Sequence, residues 1–586
     1  MTKYLLTSAL PYINGVKHLG NLVGSVLPAD VYARALRQSG HEVLFICGTD
    51  EHGTPAEIAA AEIGKPVSNY CDEMHALQKD IFLKFGISFD FFGRSSSPSN
   101  SELTQRIFKE LDKNGYIQEK EIRQYYSFDD KRFLPDRYVE GTCPYCSYKK
   151  ARGDQCDGCE ALLDPENLID AYSAISGSKN IELQNTRHLF LDLPKLEPRL
   201  KTWLLTRKDW PEIIKNTATG WINDGLQSRC ITRDLKWGIQ VPRTGYEDKV
   251  FYVWFDAPNA YISMTRDWAI AKSANKEREE LTVNWEEWWL DCKNNNDKEN
   301  NGIDDTYYVQ FMGKDNVTFH AIFWPSVLLA ANMGFKQVDY IKSFNWLTYD
   351  HGKFSTSQKR GVFMDDAIEL YEADYWRYYL MANCPETSDS DFNFEHFAST
   401  INKDLADVLG NFCNRTVALI AKYHDSKIPL SLHEELIDKE LVKKLESGIK
   451  ILSQCLNDLH FRGAIGALRS LWVLGNEYIS QKEPWKVIRT DENAAFITLV
   501  HCVHLMRLFA IISFPFIPFS SEQILKILHD QNHTKLASTP FIDGMNFHYF
   551  HRMHSIEANA KLFTKIESAE ASGLSEKFAG NLRPRS

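Results

Sequence analysis

The sequence lacks the long apolar run that a membrane span requires. Its greasiest stretch, Leu508 to Phe519, is interrupted by Pro515 and Pro518 and falls short of the roughly 20 residues that cross a bilayer. It reads instead as a buried helix and its end. The opening Met1-Thr2-Lys3, followed by a short apolar run ending at Pro11, shows neither the h-region nor the cleavage site of a secretory signal. Positive charge is in deficit, with 67 Lys and Arg against 78 Asp and Glu and a net charge of −11. That excludes a uniformly basic nucleic-acid coat but not a local basic face, because binding follows the field near a site rather than the total. Twelve cysteines in 586 residues, mostly scattered, argue against a disulfide scaffold and make a reducing cytoplasm the expected setting. No convincing nucleophilic triad is present. What these absences leave is an ordinary globular composition, 44% apolar and 25% charged, in a chain long enough for roughly three to four cores.

The first 92 residues alternate in type. An apolar strand, Tyr4–Leu10, leads through Pro11-Tyr12-Ile13-Asn14-Gly15-Val16-Lys17-His18-Leu19-Gly20-Asn21 into a helix near 21–38. A second strand, Glu42–Gly48, leads through Asp50-Glu51-His52-Gly53-Thr54 into an Ala/Glu-rich helix. Strand, helix, strand, helix at this spacing predicts a doubly wound parallel sheet whose ligands lie beyond the carboxyl ends of the strands. Both polar runs fall at such ends. His18 and Asn21 stand at a helix entrance, where backbone N–H groups and the positive helix end suit phosphate, and Gly20 keeps the backbone low. Asp50 reads either as part of a helix N-cap or as a carboxylate that holds an ammonium group.

Cys143-Pro144-Tyr145-Cys146 is followed after nine residues by Cys156-Asp157-Gly158-Cys159. Two such knuckles supply four thiolates to one tetrahedral metal and leave no open position, which points to a structural ion, Zn²⁺ in preference to iron. From Asp192 to Arg233 the chain reads as helices returning to the sheet. Alternation resumes with the strand-like Val250–Tyr261 and with Tyr307–Met312, which ends at Gly313-Lys314-Asp315-Asn316 ahead of a helix through His320. The Asn-rich stretch from Cys292 to Asp305 reads as an exposed loop. Trp254, Tyr261 and His320 are core aromatics and a core histidine, or the walls of one apolar pocket with polar tips. A short strand, Ile341–Phe344, precedes Asp350-His351-Gly352-Lys353-Phe354-Ser355-Thr356-Ser357-Gln358-Lys359-Arg360-Gly361. This basic, hydroxyl-rich loop between glycines is either solvated surface or a clamp for a triphosphate. From Asn393 to Asp530 only helical periodicity survives, as in Leu405–Tyr423, Leu436–Leu459, Gly463–Ser480 and Phe496–Ile511, and predicts a bundle of about five helices. Asn411 and Arg415 share a helical face there, and Trp485 beside an Arg is a base-stacking surface or a cover for the bundle end.

Together these residues resemble a class I aminoacyl-tRNA synthetase of the methionyl-tRNA synthetase family, over the chain to about residue 565. His18-Leu19-Gly20-Asn21 is similar to the first class signature and Lys353-Phe354-Ser355-Thr356-Ser357 to the second. The zinc knuckles, the Trp-Phe-Asp-Ala-Pro run at 254–258 and the helical bundle follow in the family's order. The resemblance implies a Rossmann-like α/β fold with a zinc-bearing insertion and an all-α bundle. It divides the chain into catalytic halves 1–118 and 231–340, an insertion 119–230, a signature-loop and stem-contact region 341–392, an anticodon-binding bundle 393–545, and a short polar tail 546–586. It makes Ala9, Leu10, Tyr12, Trp254, Ala257, Pro258, Tyr261 and His320 the methionine pocket, with Asp50 on the substrate ammonium and Arg233 near its carboxylate or the phosphates. His18, Asn21 and Lys353 become the catalytic groups, with Gly20, Ser355, Thr356 and Ser357 also on ATP. Asn411, Arg415 and Trp485 match the positions that read the methionine anticodon.

The implied activity is two-step: L-methionine and ATP, with Mg²⁺, give methionyl-adenylate and pyrophosphate, and the methionyl group then passes to the 3′ end of initiator or elongator methionine tRNA. A cytoplasmic monomer without membrane attachment is the expected form. Two departures stand out: Asn21 replaces a frequent His, and Thr356 replaces a frequent Lys, a cation for which Lys359 or Arg360 is the available substitute. The competing readings are a nucleotidylyltransferase of the same superfamily and a non-catalytic RNA-binding protein. The first leaves the knuckles and bundle without work, and the second leaves the polar strand ends unexplained.

Overall fold

The computed structural model describes residues 2–580 except 154–155, 157, 160, 162, 275–282, 291–305 and 356–357, and except the Asp136 side chain. The loop expected at Cys292–Asp305 and two of the expected ATP-site residues, Thr356 and Ser357, therefore lie outside the described residues.

Five parallel strands form the central sheet in the order Tyr340–Phe344, Tyr307–Gly313, Lys3–Ser8, Glu42–Thr49, Phe91–Arg94. Leu5 pairs with Tyr308 on one side and Leu44 on the other, and these strand interiors are buried, as a sheet covered on both faces demands. Chain order reverses between Lys3–Ser8 and Tyr307–Gly313, so the crevice beyond their carboxyl ends is the topological switch point where such sheets bind ligands.

Val250–Tyr261 departs from the expected strand. Only Val250–Phe251 is extended, paired antiparallel with Thr232–Arg233, and the chain then turns through Val253–Asp256 into the helix Ala260–Ala274. An unbroken apolar run carries no period that separates a strand from a buried helix. The insertion holds helices between Asp192 and Arg233 as expected, Leu193–Leu204 and Glu212–Asn223. It is built mainly on a long antiparallel pair, Ile117–Ser127 with Ile181–Leu191, and on a small three-stranded sheet carrying the cysteine knuckles.

The C-terminal half is the expected bundle. A continuous helical stretch runs from Phe394 to His424 with wider turns at Ile401–Gly410. It packs with Lys439–Asn457, Phe461–Lys482, Glu492–Ser513 and Pro518–Ile527. Asn393, Asp438 and Asp491 cap three of these helices through their side chains. Glu492–Ser513 is apolar and long enough to span a bilayer, but 89% of its most apolar window is buried in the bundle, the signature of a core helix. Sheet and bundle share one apolar core. They are also tied by Arg377, which is wholly buried and donates to Asp30 (2.7 Å), Pro515 O, Phe516 O and Phe85 O. The expected polar tail is folded too. Ser568–Lys577 is a helix against Phe394–Thr400, Ala571 and Phe578 are buried, and the Phe578 carbonyl accepts from Gly361 N–H.

Candidate functional site

The first signature stands at the switch point. His18 enters the helix with extended backbone, and its N–H donates to Asn21 Oδ1 (3.2 Å), so Asn21 closes the first turn as a cap. A Cβ on Gly20 would lie 2.9 Å from the His18 ring, which fixes glycine there. Burial pushes His18 down to about 4, so the ring is neutral at neutral pH. It stacks on Phe354 of the second signature at 4.4 Å. The backbones join as well: Leu19 N–H donates to Val362 O and Met364 N–H to Lys17 O. Two segments more than three hundred residues apart thus form the two sides of one crevice.

Beside it, a cavity of about 50 Å³ is lined by Ala9, Leu10, Tyr12, Asp50, Trp254, Ala257, Pro258, Tyr261 and His320, all of the expected pocket except Arg233. Asn316 and Phe319 complete the wall; they lie in the turn and helix that follow the strand Tyr307–Gly313, and neither was expected there. Trp254 Nε1 donates to Tyr12 Oη at 2.9 Å. His320 Nδ1 lies 3.0 Å from Asn316 O, an acceptor only, so this nitrogen carries the proton, and burial lowers the ring to about 4. Nε2 of the neutral ring is then an acceptor, and the Tyr261 hydroxyl, 3.2 Å away, donates to it. The tyrosine and histidine protons are therefore spent on each other and on Asn316.

Asp50 is buried, with Oδ1 lacking a partner among the described residues. Burial, and then the nearby Asp256 and Glu51, raise its carboxyl well above the usual range. Lys17 and Ser95 act the other way without offsetting this, so the pocket holds a buried carboxyl with one acceptor oxygen unfilled among the described residues. Residue pattern alone assigned no role to three neighbours, Asp256, His52 and Glu51. Asp256, inside the Trp-Phe-Asp-Ala-Pro run, bonds His52 Nδ1 at 3.0 Å, and buried Glu51 accepts from Arg94 Nε at 2.8 Å. Arg233 lies in the adjoining cavity, its guanidinium 3.8 Å from the Tyr252 ring centroid, and not on the pocket wall.

In the second signature, Asp350 and His351 adopt left-handed backbone (φ 43° and 59°), and Ser355 and Arg360 exchange two backbone hydrogen bonds. Lys353 Nζ lies 5.4 Å from the exposed Trp346 ring, with Lys314 at 4.2 Å from the same centroid. Arg360, expected as a substitute for the missing lysine, is buried and donates to the carbonyls of Tyr349, Asp350 and Lys353. It holds the loop together instead. Lys359 remains exposed on left-handed backbone.

The four cysteine sulfurs of 143, 146, 156 and 159 lie within 4.8 Å of one another. Cys143 to Cys159 is 3.8 Å and Cys146 to Cys156 is 3.5 Å, close to the ~3.8 Å edge of a tetrahedron with ~2.3 Å metal–sulfur bonds. Tyr145 N–H and Gly158 N–H donate to Cys143 and Cys156 sulfurs, as thiolates favour. The donor set fits a structural zinc ion. In the bundle, Asn411 Nδ2 donates to Asn476 Oδ1, Arg415 donates to Ser480 Oγ, and the Arg415 guanidinium lies 5.3 Å from the Trp485 ring centroid. The three expected anticodon residues thus lie on adjoining elements, the helix Asn411–His424 and the turn Pro484–Val487.

A parallel sheet with paired signatures at its switch point, a cysteine knuckle and a helical bundle defines a class I tRNA synthetase, and residues 4–417 match the family model "tRNA synthetases class I (M)". Residues 428–583 match the "Anticodon binding domain of methionyl tRNA ligase". The chain belongs to the methionine–tRNA ligase family: it is 47% identical over 583 residues to methionine–tRNA ligase 1 of Acaryochloris marina, covering 99% of this chain and all of that one. It is 50% identical to methionine–tRNA ligase of Caulobacter vibrioides, covering 89% and 90%. Its fold superposes on the methionyl-adenylate-bound methionyl-tRNA synthetase of Mycobacterium tuberculosis with a TM-score of 0.71 at 22% identity, covering 96% of this chain and 100% of that one.

Proposed function

We infer that this chain activates L-methionine with ATP and transfers the methionyl group to the 3′ end of methionine tRNA. The observation that carries the reading is the juxtaposition of the apolar Trp254–Tyr261–His320 pocket, with Asp50 at its edge, and the crevice where His18 stacks on Phe354. Aromatic walls suit a polarisable thioether, and Asp50, ionised on binding, pairs with the substrate ammonium. The methionine carboxylate then attacks the α-phosphorus of ATP in line and pyrophosphate leaves. No side-chain nucleophile is required; rate comes from holding the reactants and aiming donors at developing phosphate charge. His18 and Asn21 present donors from one side, and Lys353 and Ser355 act from the other; Thr356 and Ser357 are also assigned to ATP. Mg²⁺ entering with ATP neutralises phosphate charge. Arg233 acts from the adjoining cavity, beyond Tyr252 and Trp254.

Asn411, Arg415 and Trp485 form the anticodon surface, with Trp485 stacking on a base. Cys143, Cys146, Cys156 and Cys159 hold one Zn²⁺ that stabilises the insertion. The division into catalytic halves 1–118 and 231–340, insertion 119–230, stem-contact region 341–392 and bundle from 393 assigns a separate task to every segment. We place the protein in the cytoplasm as a monomer serving initiator and elongator tRNA. Pyrophosphate exchange into ATP tests the reading. Exchange that depends on methionine is expected; exchange with another amino acid, with a phosphorylated small molecule, or with neither refutes it.

A further inference from the structure

Outside the proposed synthetic site, Cys230 lies between two cavities. One, of about 350 Å³, is lined by Arg229, Cys230, Arg233 and Tyr252 and shares Trp254 and Phe319 with the methionine pocket. The other, of about 720 Å³, has Arg123, Gln124, Glu166, His188, Cys230 and Arg233 in its wall, a volume within the ~300–1,000 Å³ of small-ligand sites.

Behind the thiol runs a buried relay. His188 bonds Thr232 Oγ1 and Asp234 Oδ2, each at 2.9 Å, and Lys249 binds the same carboxylate and Thr186 Oγ1. Burial opposes ionisation of the thiol, which donates to Thr232 O at 3.4 Å, but the neighbouring His188 imidazole and Arg233 guanidinium outweigh burial, and Cys230 sits below the ordinary thiol value. The other groups facing it across the cavities are Arg123, Asp164, Glu166 and Arg229. The contrast with the remaining described cysteines outside the metal cluster is sharp. Cys47, Cys71, Cys384, Cys413 and Cys502 are buried and half-buried Cys455 is not, yet burial raises all six thiols. Reactivity follows thiolate character and access together, and Cys230 alone in this set combines them.

The large cavity also carries charged groups that suit a zwitterionic peptide: the guanidiniums of Arg233 and of Arg123, which pairs with Glu166 at 3.9 Å, for carboxylates, and Asp164 for an ammonium. We propose that Cys230 is a modification site, undergoing thiol–disulfide exchange with a peptide-sized anionic disulfide, and that the adduct blocks methionine activation. The Cys230 thiolate attacks one sulfur of RS–SR; a Cys230–SR bond forms, the RS–SR bond breaks, and RS⁻ departs with the electron pair and takes a proton from water. Cys230 is oxidised and the leaving half reduced, so no further reagent is needed. The inhibitory half rests on the function proposed above; the reactivity half does not.

The test treats the full-length, zinc-loaded protein with glutathione disulfide, and separately with cationic cystamine, and follows each cysteine by peptide mass mapping from pH 5.5 to 9. Cys230 should be modified at least tenfold faster than Cys455 at pH 7, faster by glutathione disulfide than by cystamine, and with a rate that levels off below the pH at which an ordinary thiol ionises. Methionine-dependent exchange should disappear with one adduct per chain and return on adding dithiothreitol, and Cys230→Ser should resist inactivation. Modification of Cys455 first, an ordinary thiol profile, or preference for cystamine overturns the site. A stoichiometric Cys230 adduct with unaltered exchange overturns the block. Absence of methionine-dependent exchange in the untreated protein condemns the proposed function instead, while the mapping still judges the thiolate.

Discussion

Arg360→Lys separates two jobs that this residue can do. If it supplies the cation missing at Thr356, its charge matters and a lysine serves. If it braces the loop, its fork matters. Arg360 is 8% exposed, and its guanidinium reaches Tyr349 O at 2.9 Å, Asp350 O at 3.0 Å and Lys353 O at 3.3 Å. These three carbonyls bracket the left-handed pair Asp350 and His351. Gly352 is small for the same reason, since a Cβ there would lie 2.0 Å from an Arg360 nitrogen. Hydrogen bonds from a charged donor contribute about 1.5–3 kcal/mol each and do not add simply. A lysine at the same depth can satisfy one carbonyl but cannot fork to three, so about 3 kcal/mol of loop order is lost. Where that order is needed only in the transition state, the loss corresponds to about 100-fold in rate. The expected outcome is a drop of that size in kcat for methionine-dependent pyrophosphate exchange, similar in Arg360→Lys and Arg360→Met, with methionine affinity from tryptophan fluorescence unchanged. A lysine variant within threefold of wild type beside an inactive methionine variant would refute the brace and restore Arg360 as a phosphate ligand.

Two further outcomes follow from the same geometry. Trp485→Ala should lower kcat/KM for tRNA charging about 10- to 100-fold, the range of one lost base stack at about 1–3 kcal/mol, while exchange stays within twofold; parallel losses would show that the bundle acts on adenylate formation. For Asp50→Asn, activity and stability should move in opposite directions. Burial holds the Asp50 carboxyl well above its unfolded value, so between the two values the folded protein keeps a proton that the unfolded chain has released, and wild-type stability falls as pH rises through that window. The variant, permanently neutral, should lose exchange by at least about 100-fold, as for a broken buried pair costing about 3–5 kcal/mol. Its Tm should exceed that of wild type at pH 8, with the difference fading toward pH 4; a variant less stable at pH 8 would contradict a strained carboxylate.

Most of the sheet was legible because its strands are bounded by turn residues and alternate with helices. Tyr307–Gly313 and Tyr340–Phe344 fall within a residue of their expected limits. That Asp50, Trp254, Tyr261 and His320 gather at one cavity was legible from their places near predicted turns, whereas Ala9, Leu10, Tyr12, Ala257 and Pro258 came from the family resemblance alone. Asn316 and Phe319 were not found, since neither residue type signals a wall until neighbouring turns are placed together. Arg360 misled because a guanidinium in a loop looks the same in sequence whether it faces solvent or three carbonyls. The tail misled for a related reason: Ala571 and Phe578 are too few to mark an apolar face, yet in the structure they are buried and the Phe578 carbonyl receives Gly361 N–H. Side-chain direction in irregular segments is decided by contacts from remote regions of the chain, and no local period carries it.

The two uncharged departures acquire meaning from this packing. The oxygen of Asn21 is occupied by His18 N–H, which leaves only its amide N–H groups for a phosphate. His18 itself is neutral and clasped against Phe354. The first signature therefore offers oriented dipoles and not charge, a form of stabilisation that is strong where water is excluded and needs no reorganisation. Charge sits on the opposite rim, where Lys353 and Lys314 share the exposed Trp346 ring and Lys314 is anchored by Asp389 at 2.8 Å. On the function proposed above, the arriving triphosphate would meet both: the fixed dipoles of His18 and Asn21 would set its geometry, and the lysines would follow the charge as it develops.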